Sequence, residues 1–282
     1  MKPDSRPVPA AMDLIERAHL VEPGDASHVM YRYPADAGFD GLLQRFWIPV
    51  WTVPPGEEAP QRVLQYPVAL VVVAADYARF YGVVSGMSTT TLTGSGWAVG
   101  VMCAPAAGAL VAGGPMSAFT DRHVDLPEVL GAAGEELTAR VRAAMAADPH
   151  SPEAQGAAMT AFTDALRPFL PIDDDGRLVN EVVAFVEADR DVVRVAQVCE
   201  RFGLSERALQ RLVHRRLGLT PKWLIQRRRL QEAAERLRGN PSSIGEVAAL
   251  LGYADQAHFS RDFTRATAMT PGRFAATHAS GS

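Results

Sequence analysis

The sequence predicts an α+β chain of two domains, with a β-rich N-terminal domain followed by an all-helical C-terminal domain. Three observations predict this fold class. Short β-branched runs separated by Gly and Pro fill residues 30–120, apolar residues take helical spacing from residue 126 onward, and two helix-turn-helix patterns follow residue 176. With 282 residues, the chain is long enough for both domains.

The N-terminal domain is expected over residues 28–172. Residues 1–27 begin with a Pro-rich stretch without the apolar core of a signal peptide, so we expect a weakly ordered arm with one helical stretch near residues 13–18. The β-branched runs after it are short and bounded by polar and Gly breaks, and the first two could form a hairpin. Strands are expected in 64–74, 79–86 and 88–104. They favour a small barrel or a sandwich.

Two helices are expected at the end of this domain. Apolar residues recur at helical spacing over 126–145, and a second helix is predicted over 152–169 after an Asp-Pro break. Residues 171–176 form an acidic segment bounded by Pro and Gly, and we place the domain boundary there. The C-terminal domain then covers 177–282.

Charge separates the two predicted domains. The net charge is −4, but the chain from residue 177 onward carries 17 Lys and Arg against 11 Asp and Glu, so the rest is strongly acidic. Between residues 201 and 229 there are nine basic residues and one acidic residue. Such a basic module is typical of contact with phosphate, although a solvated basic face gives the same bias.

Composition argues against several other classes. No apolar run reaches the roughly 18 residues that span a bilayer, so we expect no membrane contact and a cytoplasmic location. Cys103 and Cys199 form no CxxC or Cys/His pattern. His19, His28 and His123 are scattered without paired carboxylates, so neither a metal site nor a cofactor is expected.

The first helix-turn-helix pattern covers residues 195–218. Its turn reads Gly-Leu-Ser, in which Gly tolerates a left-handed backbone and Ser205 can cap the next helix. On that helix an apolar stripe opposes a polar face with Arg207, Gln210 and Arg211. Arg pairs with guanine and Gln with adenine in the major groove, and each pair contributes about 1–3 kcal/mol of discrimination.

The second pattern covers residues 244–267 and follows a predicted long helix. That helix has Pro221 at its first position and continues over 222–239 as a rigid spacer. Ser243 begins a capping-box pattern, and Asp255 can cap the second recognition helix. The groove face of that helix would carry Gln256, Ala257, His258, Ser260 and Arg261.

These polar faces supply the candidate site, although exposed Gln and Arg occur on many helices. The candidates for base contacts are Arg207, Gln210, Arg211, Gln256, His258 and Arg261. The candidates for phosphate contacts are Ser205, Arg215, Arg227, Arg228 and Ser260. Arg227 and Arg228 could instead be merely solvated, and Trp223 is expected in the core. His258 has no second ligand at metal spacing, so we assign it to DNA contact or capping.

A combined signature runs through both units. It comprises Gly203-Leu204-Ser205, Leu209-Gln210-Arg211, Gly218, Thr220-Pro221, Ile244, Val247-Ala248, Leu251-Gly252-Tyr253, His258-Phe259-Ser260-Arg261, Phe263, Thr270-Pro271 and Phe274. This signature resembles that of AraC/XylS-family transcriptional regulators. The resemblance implies a bacterial, nucleoid-associated protein with a seven-helix domain whose two recognition helices bind adjacent major grooves. The family usually has Gly where this chain has Ala268, so the pattern does not fix the end of the second recognition helix.

The N-terminal domain shows a looser similarity. Its residues Tyr66-Pro67, Gly82, Ser85-Gly86, Gly100-Val101 and Pro105 are ordered as in the β-rich domain that precedes this module in many such regulators. The similarity implies a cupin-like fold with a sensing or dimerising role. Its aromatic residues could line an apolar ligand pocket or form ordinary β-core packing. The pocket candidates are Trp47, Trp51, Tyr66, Tyr81 and Trp97.

We therefore expect a sequence-specific DNA-binding transcriptional regulator that is not an enzyme. Its expected partners are double-stranded operator DNA, a small-molecule effector, RNA polymerase and a second copy of the chain. One alternative is an effector-binding or protein-interaction receptor with a secondary DNA-binding role, which would not need the basic Gln/Arg face. Another is an enzyme fused to a regulator with a methyl-accepting Cys103, which would require an activated thiol rather than a buried apolar one.

Overall fold

The computed structural model describes residues 25–64, 66–238 and 243–279. Strands fill the first part of the chain and helices dominate the second, which confirms the predicted two-domain α+β fold.

The strands are β1 (His28–Pro34), β2 (Leu43–Thr52), β3 (Ala59–Val63), β4 (Leu70–Ala74), β5 (Ala78–Tyr81), β6 (Ser88–Leu92), β7 (Ser95–Cys103) and β8 (His123–Asp125). The helices are α1 (Ala107–Val111), α2 (Leu126–Leu130), α3 (Ala132–Met145), α4 (Pro152–Leu166), α5 (Asp174–Ala188), α6 (Val195–Phe202), α7 (Glu206–Leu217), α8 (Pro221–Arg238), α9 (Ile244–Leu250), α10 (Gln256–Thr267) and α11 (Pro271–Ala279). The predicted arm, up to residue 24, and its helical stretch lie outside the described residues.

Six strands form one antiparallel sheet in the order β1-β2-β7-β4-β5-β8, while β3 and β6 pair separately. β1 and β8 lie at opposite edges of the open sheet, so the closed-barrel alternative is wrong. The predicted hairpin is β4–β5, with Leu70 registered opposite Tyr81. β4 begins at Leu70, whereas the strand was predicted to begin at residue 64. Pro67 lies between these positions and has no N–H to donate to a sheet ladder.

One face of the six-stranded sheet packs against α3 and α4. Phe46, Val71 and Leu137 are fully or almost fully buried in the core between the sheet and these helices. The Phe46 and Phe162 rings meet edge to face with centroids 5.9 Å apart. The predicted helix over 126–145 is divided into α2 and α3, because Gly131 adopts a left-handed φ of 57° that ends α2.

The C-terminal domain has two small cores joined by α8. Helices α6 and α7 form the first helix-turn-helix unit, and α9 and α10 form the second. Leu224 and Ile225 of α8 belong to the first core, while Leu230, Ala234 and Leu237 belong to the second. The predicted long spacer helix is therefore confirmed, and it is buried on nearly every side.

The two domains are packed against each other. Val83 and Ala106 of the N-terminal domain belong to the first helical core, and Leu64 belongs to the second. The Asn180 side chain on α5 joins the domains by donating to the Gly41 carbonyl and accepting from the Ala106 amide, each at 2.8 Å. Among the described residues, none of the helices has both the length and the apolar character that a membrane span requires.

Candidate nucleic-acid interface

The first recognition helix, α7, begins where the sequence predicts. Gly203 ends α6 with a φ of 63°, in the left-handed region that glycine tolerates. The Ser205 hydroxyl then accepts a hydrogen bond from the Ala208 amide at 3.2 Å and caps α7. Leu209 and Val213 are fully buried, so the predicted apolar stripe faces the first core. Its opposite face is therefore turned to solvent.

That solvent face of α7 carries the predicted polar side chains. Arg207, Gln210, Arg211 and Arg215 are all exposed. The Gln210 amide nitrogen donates to the Glu206 carboxylate at 3.3 Å, which orients the amide at the start of the helix. The face therefore presents guanidinium and amide donors on successive turns, as a groove-reading helix requires.

The second recognition helix, α10, is built in the same way. The Asp255 carboxylate accepts from the His258 amide at 2.7 Å and caps the helix, while Phe259 and Phe263 are fully buried. On the opposite side, the remaining predicted side chains are exposed except for Ser260, which is half-buried. These residues are Gln256, Ala257, His258, Ser260 and Arg261.

An acidic neighbour modifies the face of α10. His258 Nε2 lies 3.5 Å from a carboxylate oxygen of Asp262, and Arg265 Nη1 lies 3.4 Å from the other oxygen. The His258 ring also meets the Tyr253 ring edge to face, with centroids 5.3 Å apart. The imidazole is therefore held between two partners, whereas the Arg207 and Arg211 side chains of α7 have no acidic partner within the described residues.

The end of α10 shows how the chain accommodates Ala268 at the position where the family pattern has Gly. This residue adopts a φ of 56° and ψ of 13°, the left-handed conformation in which the family pattern has Gly. Its amide still donates to the Thr264 carbonyl at 2.8 Å, so the helix ends normally. The cost is a conformation that disfavours any residue with a Cβ by about 1–2 kcal/mol.

We expect Ala268→Gly to stabilise the protein. The glycine removes the left-handed strain but adds freedom to the unfolded chain, so the expected net gain is about 0.5–1 kcal/mol. Thermal unfolding of the two proteins measures the gain as a higher Tm. Ala276→Gly, on the exposed face of α11, is the matched control and is expected to lower Tm, since it introduces glycine inside a helix. An equal or lower Tm for Ala268→Gly would contradict the strain.

Aspartates of the predicted boundary segment cap and begin α5 and reach α7. Asp173 pairs with Arg216 and Asp175 pairs with Arg215. Burial by itself would raise the pKa of Asp173, but hydrogen bonds from Arg216 and from the Gly176 amide outweigh it, so the pKa lies below its usual value. One predicted phosphate contact, Arg215, is thus exposed but already engaged by a carboxylate.

Arg227 and Arg228 require a correction. Only 4% of Arg227 and 7% of Arg228 is exposed, so neither side chain lies on the surface. Arg227 Nη2 donates to the Ser85 and Gly86 carbonyls, and Arg228 Nη2 donates to the Val192 carbonyl at 2.9 Å. In this arrangement both guanidinium groups are shielded from solvent, and the donors that form hydrogen bonds meet protein oxygens. We therefore leave both residues out of the proposed phosphate contacts.

Glu232 was not predicted from the sequence, and it lies beside Arg228. Its carboxylate accepts from Arg228 Nη1 at 3.3 Å and from Arg236 Nη2 at 2.8 Å, and it lies 3.5 Å from Arg190 Nη1. The spacing of Arg228, Glu232 and Arg236 at four-residue intervals was the available signal, because such residues face each other on a helix.

The aromatic candidates of the N-terminal domain divide among three surroundings. Trp47, Trp51 and Tyr81 lie with Val72, Ala74 and Ala98 on the sheet face opposite α3 and α4. Trp97 packs against the main core on the other face, and Tyr66 belongs to a separate cluster with Val68 and Met102. The structure therefore brings three of the five together. The Trp47 and Trp51 rings lie against Gly100 and Gly96 of β7, where a Cβ would collide with them.

Cys103 is completely buried, and burial raises the pKa of its thiol to about 12. At neutral pH it is therefore a protonated apolar side chain. The sequence analysis likewise favoured a buried apolar cysteine over an activated thiol.

Comparison with known proteins places the helical domain in a family. Residues 198–277 match the family described as "Helix-turn-helix domain", and residues 31–125 match one described as "Domain of unknown function (DUF6597)". The HTH-type transcriptional activator RhaS of Escherichia fergusonii is 36% identical over 98 residues, which are 34% of this chain and 35% of the relative. RhaS of Salmonella arizonae is 37% identical over 94 residues, 33% of this chain and 34% of the relative. Together with the signature in the sequence, these matches identify residues 198–277 as an AraC-type helix-turn-helix domain. The chain spans about a third of the length of these curated relatives.

Solved structures are similar to the AraC-type domain and to longer parts of the chain. The C-terminal domain of AraT, a response regulator from Geobacillus stearothermophilus, covers 37% of this chain and 88% of its own, with 25% identity and a TM-score of 0.34. ToxT from Vibrio cholerae O395 covers 89% of this chain and 97% of its own, with 12% identity and a TM-score of 0.38. The assignment of the AraC-type domain depends on the sequence matches and on its own two capped units.

Proposed function

We propose that this protein is a sequence-specific DNA-binding transcriptional regulator that acts in the bacterial cytoplasm on nucleoid DNA. One observation carries the proposal: two recognition helices, each capped by a side chain, bury their apolar faces and expose Arg, Gln and His on the other. Arg207, Gln210 and Arg211 on α7 are assigned to bases, together with Gln256, His258 and Arg261 on α10. Ser205, Arg215 and Ser260 are assigned to phosphates.

The receptor with a secondary DNA-binding role is the competing function. Such a protein has no need for two solvent-facing rows of guanidinium and amide donors on consecutive helix-turn-helix units. The charge distribution favours DNA for the same reason, because exposed basic side chains follow α7 and the start of α8 at Arg207, Arg211, Arg215 and Lys222.

Selection from random duplex DNA with the full-length protein tests the proposal. We expect an enriched site with two conserved segments about one helical turn apart. We also expect the affinity for that site to fall linearly with the logarithm of salt concentration, because bound phosphates release counterions. Recovery of no enriched sequence, or an affinity that does not change with salt, would overturn the proposal.

We further propose that the N-terminal domain controls the AraC-type domain through their shared surface. The Thr120 hydroxyl donates to the Gly218 carbonyl at 3.0 Å, at the end of α7, and Trp223 Nε1 donates to the Ser85 carbonyl at 3.0 Å. A small-molecule effector on the face with Trp47, Trp51 and Tyr81 would act through this surface. Adding cell metabolites to the DNA selection tests it, and an unchanged affinity would count against an effector. RNA polymerase contact and a homodimer stay predictions.

The pairing of Arg215 with Asp175 leads to a prediction about DNA affinity. Asp175→Asn should free Arg215 for phosphate and tighten binding at low salt by up to about fivefold, the range of an exposed ion pair. The salt dependence should become steeper. Titration of labelled duplex measures both effects. Asp174→Asn is the matched control, because Asp174 pairs with Arg177 instead, and equal behaviour of the two variants would contradict the role of Asp175.

A further inference from the structure

Three consecutive arginines of α8, Arg227, Arg228 and Arg229, make contacts in three different directions. Successive residues of an α-helix point about 100° apart, so neighbouring side chains cannot share one face. A row of phosphate contacts would instead need arginines three or four residues apart. We call these three residues the arginine triplet, and each of them contacts a different part of the molecule.

Arg227 contacts the N-terminal domain. Its Nη2 donates to the Ser85 carbonyl and, at 2.9 Å, to the Gly86 carbonyl. Asp121 fixes this segment, because its carboxylate accepts from both the amide and the hydroxyl of Ser85 at 2.7 Å. The Trp223 ring also lies under the Arg227 guanidinium, 4.6 Å from it. Arg227 is therefore fixed to the β-rich domain by its hydrogen bonds, while stacking on Trp223 of α8 orients its guanidinium.

Arg228 contacts the first helix-turn-helix unit. Its Nη2 donates to the Val192 carbonyl at 2.9 Å and to the Arg190 carbonyl at 3.2 Å, in the segment just before α6. Its Nη1 donates to Glu232 on the next turn of α8, which holds the guanidinium in place. Arg228 therefore fixes the entry to the first unit against α8.

Arg229 contacts the second unit. Its guanidinium lies 4.0 Å from the centre of the Tyr253 ring, in the turn between α9 and α10. The other side of that turn is fixed by His258, Phe259 and the helix cap at Asp255. Arg229 therefore joins α8 to the turn that precedes the second recognition helix.

We propose that the arginine triplet is a set of positioning residues that fixes the N-terminal domain and the two recognition helices relative to one another, and so sets which spacing of half-sites the protein accepts. This inference rests on the proposed function and deepens it. Two half-sites are bound together only when the helices match their separation on the duplex, since the second contact is then intramolecular. Loosening the triplet should therefore weaken the discrimination between spacings rather than the contact with each half-site.

The experiment compares Arg→Met variants of the full-length protein at three positions. Arg229→Met loosens the triplet, Arg215→Met removes a proposed phosphate contact, and Arg140→Met removes an exposed arginine of α3 that pairs with Asp164. Arg229→Lys keeps the charge but loses the planar stacking on Tyr253. The probes are the selected duplex, the same duplex with a few base pairs inserted or removed between its halves, and a duplex with one half only.

We expect Arg229→Met and Arg229→Lys to reduce the preference for the native spacing about tenfold, with the single-half affinity and the salt dependence unchanged. Arg215→Met should reduce the salt slope by about 1 and keep the spacing preference, while Arg140→Met should change neither. If Arg229→Met reduces the salt slope and Arg229→Lys behaves as wild type, Arg229 is a phosphate contact and the inference is wrong.

Two further outcomes separate the inference from the proposed function. If the wild type selects no duplex at all, the proposed function fails and the inference fails with it. If the wild type selects a two-part site and Arg229→Met keeps its spacing preference, only the inference fails. Arg227→Lys provides a second test at the other end of the triplet, because Lys cannot reproduce both the hydrogen bonds and the stacking on Trp223.

Discussion

Glu232→Ala is expected to lower the free energy of unfolding by about 3 kcal/mol, at the low end of the cost of breaking a buried ion pair. The carboxylate neutralises Arg228, whose side chain is 8% exposed and would be left charged in the interior. Its other partners, Arg236 and Arg190, are 34% and 56% exposed and can turn to water. Only one charge therefore remains buried and unpaired. Urea denaturation of the full-length protein measures the loss.

Two variants distinguish this charge effect from a loss of helix packing. Glu200→Ala, on the exposed face of α6, removes a carboxylate of the same domain and should change stability by no more than about 0.5 kcal/mol. Replacing both partners, Arg228→Met with Glu232→Leu, should recover part of the loss, because no unpaired charge remains. If Glu232→Ala is as stable as Glu200→Ala, the ion pair has no stabilising role.

Local signals in the sequence were sufficient for the recognition helices. A cap depends on one side chain and an amide three residues later, so Ser205 and Asp255 could be assigned from their positions alone. The apolar stripe of α7 is equally local, because it depends on helical spacing. Together these fix which face of α7 and α10 remains free for a ligand, which is why every predicted base-contact residue is exposed.

Contacts between distant parts of the chain were not predictable in the same way. Arg227 and Arg228 look like surface arginines in a basic run, and only the packing of the N-terminal domain and of the segment before α6 shows that protein carbonyls take their donors. The sheet has the same property. β7 lies between β2 and β4, whereas β6, the strand just before it in the chain, pairs with β3. Such pairings join residues far apart in sequence, where periodicity gives no information.

The two recognition faces also differ in how their cationic side chains are paired. Arg207 and Arg211 lie one turn apart on α7 and have no carboxylate partner within the described residues, so their donors are free for guanine. On α10, Asp262 lies within 3.5 Å of both His258 and Arg265, whereas the Glu206 carboxylate on α7 accepts from Gln210 rather than from either arginine. We therefore expect α7 to contribute more of the sequence discrimination than α10.

The double variant Arg207→Ala/Arg211→Ala is accordingly expected to lose about 2–6 kcal/mol of specific binding, the sum for two bidentate contacts with guanine. Gln256→Ala/Arg261→Ala is the matched variant on α10 and should lose less. Titration of the selected duplex at one fixed salt concentration compares them, and a nonspecific duplex measures the phosphate contribution. Since both variants alter only exposed side chains, their unfolding midpoints should remain near that of the wild type. A larger loss for the α10 variant would contradict this order of the two units.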